Sequence, residues 1–259
     1  MPARAGSLAN KSAIRLDQAL VERGLCESRE KAKRAVLAGR VQINHQRAHK
    51  PSDTVFPRDE VSVIAAEKYV SRGGYKLEHA LVHFQLDVAG CAAIDVGAST
   101  GGFTDCLLQF GAARVYAVDV GRGQLAWRLR QDPRVVVMEG MNARHLAAGN
   151  FVPPFSPVDI VVMDCSFISL KLVLPPAVAL VRMSGKLIGL IKPQFEAGKA
   201  EVGKGAGVIR DPEIHRRVLA EIQDFVGSQR GLRWRGVVES PILGPAGNKE
   251  FLALIEKVS

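Results

Sequence analysis

The sequence has few of the features that mark membrane, secreted or metal-binding proteins. Its apolar runs, such as residues 172–181, fall well short of the roughly 20 residues needed to cross a bilayer. Its N-terminus lacks the apolar stretch of a secretory signal. The four cysteines show neither close pairing nor metal-type spacing: Cys26, Cys91, Cys106 and Cys165. We therefore expect a cytoplasmic protein with free thiols, without a membrane span and without a bound metal.

Acidic residues are scarce at one end of the chain. Residues 1–50 hold eleven Lys and Arg against four Asp and Glu, so most of the formal net charge of +9 lies there. A local basic excess neutralises phosphates and releases their counterions, which favours nucleic-acid binding. A solvated basic helix face would have the same charge. The 259 residues, 47% of them hydrophobic, suit one large globular domain or an ordinary domain with a small one.

The basic segment has the pattern of two helices followed by a hairpin. A first helix is predicted over residues 15–25, because its apolar residues share one face and a glycine stands near its end. Ser28 is the predicted N-cap of a second helix, which Gly39 closes. A short strand over 41–43 and a turn at 44–45 follow.

This order resembles the small RNA-binding domain shared by a small-subunit ribosomal protein, several pseudouridine synthases and tyrosyl-tRNA synthetase. The matching strings are R-L-D-Q-A-L at 15–20, S-R-E-K-A-K-R at 28–34 and G-R-V-Q-I-N at 39–44. The resemblance implies a surface that binds RNA through phosphate and ribose rather than through bases. Five residues would form it: Arg15, Arg29, Lys33, Arg34 and Arg40.

Seven apolar strand candidates alternate with helical stretches in the rest of the chain. They lie at 92–96, 115–120, 135–138, 160–163, 186–191, 236–239 and 251–256. This alternation predicts an α/β fold with a doubly wound, Rossmann-like sheet. We place a small α+β RNA-binding domain at 1–64, a linker at 65–69 and the α/β domain at 70–259.

A glycine-rich turn over 95–104 joins the first of these strands to a helix, as in nucleotide-cofactor sites. The dinucleotide fingerprint and the P-loop are both absent, and the spacing is D-x-G-x-x-x-G-G. An acidic residue before the turn suits a cationic amino-acid ligand such as S-adenosylmethionine (SAM), and Asp119 suits its ribose hydroxyls. Helix capping is the alternative for both carboxylates and for Asn142. The candidate cofactor-binding residues are Asp95, Gly97, Ser99, Thr100, Gly101, Gly102, Phe103, Thr104, Asp119 and Asn142.

Four polar residues lie at strand ends or in adjacent turns: Lys76, Asp164, Lys192 and Glu250. Asp164 and Lys192 each follow a predicted strand directly. Ligands of open parallel sheets bind at the carboxyl ends of the strands, so these two side chains should share a crevice. Singly, each of the four residues also has an ordinary structural explanation.

Five separated motifs resemble the TlyA family of SAM-dependent ribosomal-RNA 2′-O-methyltransferases, historically labelled hemolysins, whose catalytic domain is FtsJ-like. The motifs lie at 69–77, 95–104, 164–170, 191–196 and 244–251. The family's Lys-Asp-Lys-Glu tetrad matches Lys76, Asp164, Lys192 and Glu250. The resemblance implies that SAM methylates a cytidine ribose in large-subunit rRNA, and in some members also in small-subunit rRNA, with ribosomal RNA or subunits as partners.

A catalytic role for the tetrad has a physical basis. A ribose 2′-hydroxyl is a weak nucleophile, so a positioned base must take its proton. We expect Lys192 to be that base, with burial and the charge of Lys76 lowering its pKa and with the two carboxylates orienting the lysines. Lys199 and Lys204 are expected to hold the RNA backbone, although a solvated loop would look the same. Two other functions remain open: a membrane-lytic protein and a non-catalytic RNA-binding assembly factor.

Overall fold

The computed structural model describes residues 13–64, 67–198, 201 and 207–258. The chain divides into two compact units, Met1–Glu67 and Lys68–Ser259. Residues 65 and 66 of the expected linker lie outside the described residues, so the exact domain boundary stays a prediction. In the described part of the chain, no helix combines the length and the apolar character needed to cross a membrane.

The N-terminal unit has the predicted order of helix, helix and hairpin. Its elements are β1 (Ile14–Arg15), α1 (Leu16–Glu22), α2 (Arg29–Leu37), β2 (Val41–Ile43), β3 (Gln46–Arg47), β4 (Thr54–Val55) and β5 (Val61–Val63). β2 pairs with β3 and β5, and β1 pairs with β4, all antiparallel. Ser28 caps α2 by accepting a hydrogen bond from the Lys31 amide. Asn44 and His45 have left-handed backbone conformations, as the type I′ turn of a two-residue hairpin requires.

A buried carboxylate joins the two helices of this unit. Asp17 is fully buried in the first turn of α1. It accepts hydrogen bonds from Arg15 Nε at 3.1 Å and from Arg29 Nη2 at 3.0 Å. These guanidinium groups, Arg15 first, hold the pKa of Asp17 below its usual value. Asp17 thus orients two of the predicted RNA-binding arginines.

The second unit contains all seven predicted strands. Its elements are α3 (Gly73–His83), β6 (Ala92–Val96), α4 (Gly102–Gln109), β7 (Arg114–Asp119), α5 (Trp127–Arg130), β8 (Val135–Glu139), β9 (Val158–Met163), α6 (Leu170–Leu180), β10 (Val181–Ile191), α7 (Pro193–Glu196), α8 (Pro212–Ser228), β11 (Leu232–Glu239) and β12 (Phe251–Lys257). They form one sheet in the order β8-β7-β6-β9-β10-β12-β11. β12 runs antiparallel to both of its neighbours, whereas the ladders from β8 to β10 are parallel.

Helices cover both faces of this sheet. In β9, Ile160 and Val162 pack in the core on the side of α3 and α4, whereas Val161 and Met163 pack on the side of α6 and α8. Successive side chains of a strand point to opposite faces, so a strand covered on both sides is apolar throughout. The expectation of a doubly wound α/β sheet is therefore confirmed.

We expect Asp17→Asn to loosen the contact between α1 and α2 in the full chain, because it removes the negative charge that accepts hydrogen bonds from two arginines. Amide hydrogen exchange within residues 16–37 should become several-fold faster at neutral pH. Since the pKa of Asp17 is lowered by folding, its contribution to stability is present above its ordinary pKa of 3.8 and disappears as the pH falls through the lowered value.

Glu22→Gln is the matched control for this measurement, since it neutralises an exposed carboxylate on the same helix. Unchanged exchange in Asp17→Asn would show that apolar packing alone holds the two helices together.

Candidate active site

The loop after β6 needs glycine for steric reasons. Gly97 and Gly101 are left-handed, with φ of 86° and 96°. A Cβ on Gly97 would lie 2.6 Å from the Asp164 carbonyl oxygen, and one on Gly101 would overlap Leu129. Ser99 is also left-handed, and its amide donates to Asp119 Oδ2 at 2.7 Å. The loop is thus pressed against the end of β9 and against α5, which brings its backbone to the surface of a cleft.

Asp95 and Thr104 are buried beneath this loop. Two clefts lie next to the loop in the part of the chain that the structure describes, and neither residue lines either of them. Asp95 Oδ2 accepts hydrogen bonds from the Thr104 amide at 2.8 Å and from its hydroxyl at 2.6 Å. Burial raises the pKa of Asp95 to about 7. This carboxylate fastens the start of α4 to the end of β6. Its expected contact with a cofactor stays a prediction.

The larger cleft has a volume of about 520 Å³. Four of the candidate cofactor residues line it: Gly97, Ser99, Asp119 and Asn142. Val118, Val120 and Met141 add an apolar wall. The capping alternative expected for Asn142 is present, because its Oδ1 caps a short helical turn by accepting the Arg144 amide at 3.0 Å. Its contact with a cofactor stays a prediction. An apolar wall beside a carboxylate fits an adenosine group, and the volume suits a small cofactor.

A second cleft of about 260 Å³ adjoins the first, since both are lined by Gly97, Ser99, Asp164 and Ser166. Thr100, Gly102 and Phe103 line this second cleft, as do Lys76 and Lys192. Gly101 lies behind it, packed on α5. The glycine-rich loop therefore separates two connected spaces, one apolar with a carboxylate and the other lined by two lysines.

The four tetrad residues form two ion pairs at this point. Lys76 Nζ lies 2.5 Å from Glu250 Oε2, and Lys192 Nζ lies 2.6 Å from Asp164 Oδ1. Both lysine side chains are 8% exposed. Lys192 Nζ also donates to Ser166 Oγ at 3.0 Å. Three of the four residues line the second cleft, and Glu250 supports Lys76 from behind.

Comparison with known proteins supports what the fold and the site indicate. An FtsJ-like methyltransferase domain matches residues 69–257, and an S4 domain matches residues 14–61. The 16S/23S rRNA (cytidine-2′-O)-methyltransferase TlyA of Mycobacterium tuberculosis is 46% identical, over 92% of this chain and 87% of the relative. The chain belongs to the TlyA family of FtsJ-like methyltransferases. Its resemblance to that family is thus confirmed.

Other members of the TlyA family carry a different name. Hemolysin A of Brachyspira hyodysenteriae is 42% identical over 93% of this chain and 98% of that protein. The solved structure of a hemolysin-like protein from Streptococcus thermophilus matches with a TM-score of 0.71 and 44% identity, covering 95% of this chain and 89% of the other.

Sequence reasoning missed the aromatic group at the mouth of the cleft. Phe167 is 90% exposed, left-handed in its backbone with φ of 64°, and its ring centroid lies 5.1 Å from that of Phe195. A bulky side chain in this conformation is strained, and such strain concentrates at functional sites. The motif at 164–170 carries part of the family resemblance, but nothing in it signals the exposure of this ring.

The candidate RNA-binding residues of the N-terminal unit fall into two groups. Arg15 and Arg29 are held by Asp17, and Lys33 pairs with Glu30 at 3.3 Å. Arg34 and Arg40 line a separate basic cleft of about 480 Å³. Lys199 and Lys204 lie outside the described residues.

We expect Gly97→Ala to weaken SAM binding by about tenfold or more, because the new Cβ would push the loop away from Asp164. Isothermal titration with SAM measures this directly. Gly90→Ala is the control: Gly90 is equally left-handed, with φ of 72°, but a Cβ there has nothing within 4 Å. Equal affinities in the two variants would mean that the close approach to Asp164 is irrelevant to the cofactor.

Asp95→Asn should change how stability depends on pH. Between the ordinary pKa of 3.8 and the raised value of about 7, the folded state holds a proton that the unfolded state has lost. Stability of the wild type should therefore fall as the pH rises through this range, and the variant should lack this component. Denaturant unfolding measured from acidic to mildly alkaline pH tests this expectation. If stability depended on pH in the same way in the wild type and the variant, folding would not shift the pKa of Asp95.

Proposed function

We propose that this protein transfers the methyl group of SAM to the ribose 2′-hydroxyl of a cytidine in ribosomal RNA, in the cytoplasm. One observation carries the proposal: the cleft that fits an adenosine group opens into a cleft containing two lysine–carboxylate pairs. The name of the Mycobacterium tuberculosis relative supports the choice of ribosomal RNA and of cytidine.

The residues present fit SAM. Asp119 suits the ribose hydroxyls, Val120 and Met141 suit the adenine ring, and the loop at Gly97 exposes backbone next to the lysine side of the site. Bound there, SAM would supply an electrophilic methyl group on a sulfonium. The chain itself must then position the RNA hydroxyl and remove its proton.

Lys192 is the residue placed to accept that proton. Its Nζ is held between Asp164 Oδ1 and Ser166 Oγ, both of which line the connected clefts. Asp164 can accept a proton from the ammonium group, and the neutral amine then takes the hydroxyl proton. The pair thus gains one proton and one positive charge, which balances the positive charge that the methyl donor would lose on transfer to the ribose oxygen. The short distance between Lys192 and Asp164 allows both transfers without rearrangement of the site.

Lys76 contributes fixed positive charge to the same cleft. Glu250, 1% exposed, pairs with Lys76 Nζ at 2.5 Å and so fixes the direction of the ammonium group. A preorganised cation stabilises an oxygen that becomes more negative as it loses its proton. Lys76 therefore acts on the hydroxyl oxygen, whereas Lys192 acts on the hydroxyl proton.

Phe167 offers a surface for the target base. Its exposed ring lines the larger cleft together with Asp164. It packs against Phe195, whose ring centroid lies 5.9 Å from Lys192 Nζ. RNA enzymes hold unstacked bases against aromatic side chains. A base stacked on Phe167 would bring its ribose toward the lysines.

The alternatives carry less support. The hemolysin names of some relatives are consistent with membrane lysis, but no described feature of this chain favours it. A non-catalytic assembly factor would have no use for two buried lysine–carboxylate pairs at one cleft, since burying such groups costs stability. The S4 domain and its basic surface would dock ribosomal RNA in the enzyme as well.

We expect Lys192→Ala to reduce methyl transfer to ribosomal RNA by about 10²- to 10⁴-fold, the usual contribution of a general base, with SAM affinity retained. Transfer of labelled methyl is measured with rRNA or ribosomal subunits, and the product is mapped as 2′-O-methylcytidine. Lys186→Ala is the control, since Lys186 lies in the middle of β10, the strand that Lys192 follows, and forms an ion pair with Glu256 of β12.

Full activity of Lys192→Ala would remove Lys192 from the proton transfer. Absence of transfer by the wild-type protein to any ribosomal RNA, despite SAM binding, would overturn the proposed function as a whole.

A further inference from the structure

An exposed tryptophan stands on the methyltransferase unit, outside the site described above. Trp127 begins α5 and is 74% exposed, although tryptophan is among the residues that gain most from burial. The chain has two tryptophans, and the other, Trp234, is half-buried in β11. Tryptophan is enriched at interfaces, so an exposed indole whose backbone is held in place is a candidate contact.

The backbone of Trp127 is firmly mounted. The preceding residue, Ala126, donates its amide hydrogen to Thr100 O at 3.1 Å. Leu125 and Leu129 are buried under the helix, and both press on Gly101. Leu125 and Leu129 thus fill the space beneath α5, whereas the indole of Trp127 lies on its outer face.

Two arginines lie close to Trp127 in the chain. Arg122 and Arg128 are exposed, and Arg128 is bound to Asp105. The nearby carboxylates are mostly covered: the side chain of Asp105 is 7% exposed and that of Glu139, which pairs with Arg130, is 18% exposed. This segment therefore presents an exposed indole and two exposed arginines, a combination that complements a polyanion with flat bases.

This surface is joined to both clefts. Gln124 lines the cofactor cleft and hydrogen-bonds to Ser99. Thr100, whose carbonyl holds Ala126, lines the lysine cleft. An RNA strand with its target ribose at the lysines can therefore extend a neighbouring nucleotide toward α5.

We propose that Trp127, with Arg122 and Arg128, forms a docking surface for an unpaired nucleotide of the substrate RNA outside the target position. The base stacks on the indole, and the arginines contact the adjoining phosphates. The inference rests on the proposed function, because it takes RNA as the substrate of the same site.

Fluorescence tests contact with RNA independently of catalysis. In Trp234→Phe, Trp127 is the sole tryptophan of the full chain, and titration with ribosomal RNA should quench its emission. In Trp127→Phe, Trp234 reports instead and its emission should stay constant. Quenching that is equal in both variants, or absent in Trp234→Phe, would overturn the proposal.

Kinetics test the role of the contact. Trp127→Ala should raise the KM for ribosomal RNA by about tenfold or more, as expected for the loss of one stacked base, with SAM affinity and kcat at saturating RNA unchanged. Trp127→Phe should restore most of the loss, since a phenyl ring also stacks. Arg122→Ala should reduce the salt dependence of RNA binding, since fewer phosphates are neutralised.

The outcomes separate this inference from the proposed function. An unchanged KM in Trp127→Ala, with normal methyl transfer, would refute the docking surface and leave the methyltransferase intact. A loss of kcat with unchanged KM would also refute it, by showing that Trp127 supports the active site rather than RNA binding. Quenching of Trp127 by RNA without any methyl transfer by the wild type would support the surface and refute the proposed function.

Discussion

The direction of one strand controls the assembly of the candidate active site. β9 and β10 are parallel, so Asp164 and Lys192, which follow them, lie at the same edge of the sheet. β12 runs the opposite way and begins where its neighbours end, which puts Glu250, the residue before it, at that edge as well. If β12 were parallel, Glu250 would lie at the far edge and Lys76 would have no buried partner there. The topology of the sheet thus supplies both carboxylates of the two ion pairs.

Burial makes these pairs costly and useful at the same time. Moving a charge from water into a protein interior is unfavourable, and its partner offsets that cost only with good geometry. Glu250 is almost inaccessible, and its Oε1 has no hydrogen-bond partner among the described residues. Gly244 faces this oxygen, where a Cβ would come within 2.4 Å. An apolar core would be easier to stabilise at this place, so the charges are consistent with selection for chemistry rather than for stability.

The two units use charge in different ways. In the N-terminal unit, the basic side chains stay near the surface, and one buried carboxylate, Asp17, orients two of them. In the second unit, Lys76 and Lys192 are buried and paired, where they can act on single atoms. Surface charge attracts a polyanion over its whole length, whereas a buried charge in a medium of low dielectric acts strongly at short range. Basic residues thus have two physical roles within one chain.

The resemblance to the TlyA family indicated the four tetrad residues. The sequence by itself determined the order of elements and the glycine-rich loop. These follow from local rules: apolar periodicity, capping, and the backbone freedom of glycine. Tertiary structure decided which carboxylate pairs with which lysine, the burial of Asp95 away from the clefts, and the exposure of Phe167 and Trp127. Those outcomes depend on strand order and on helix packing between residues far apart in the chain. No local pattern encodes such distances, because each is set by how the two faces of the sheet are filled.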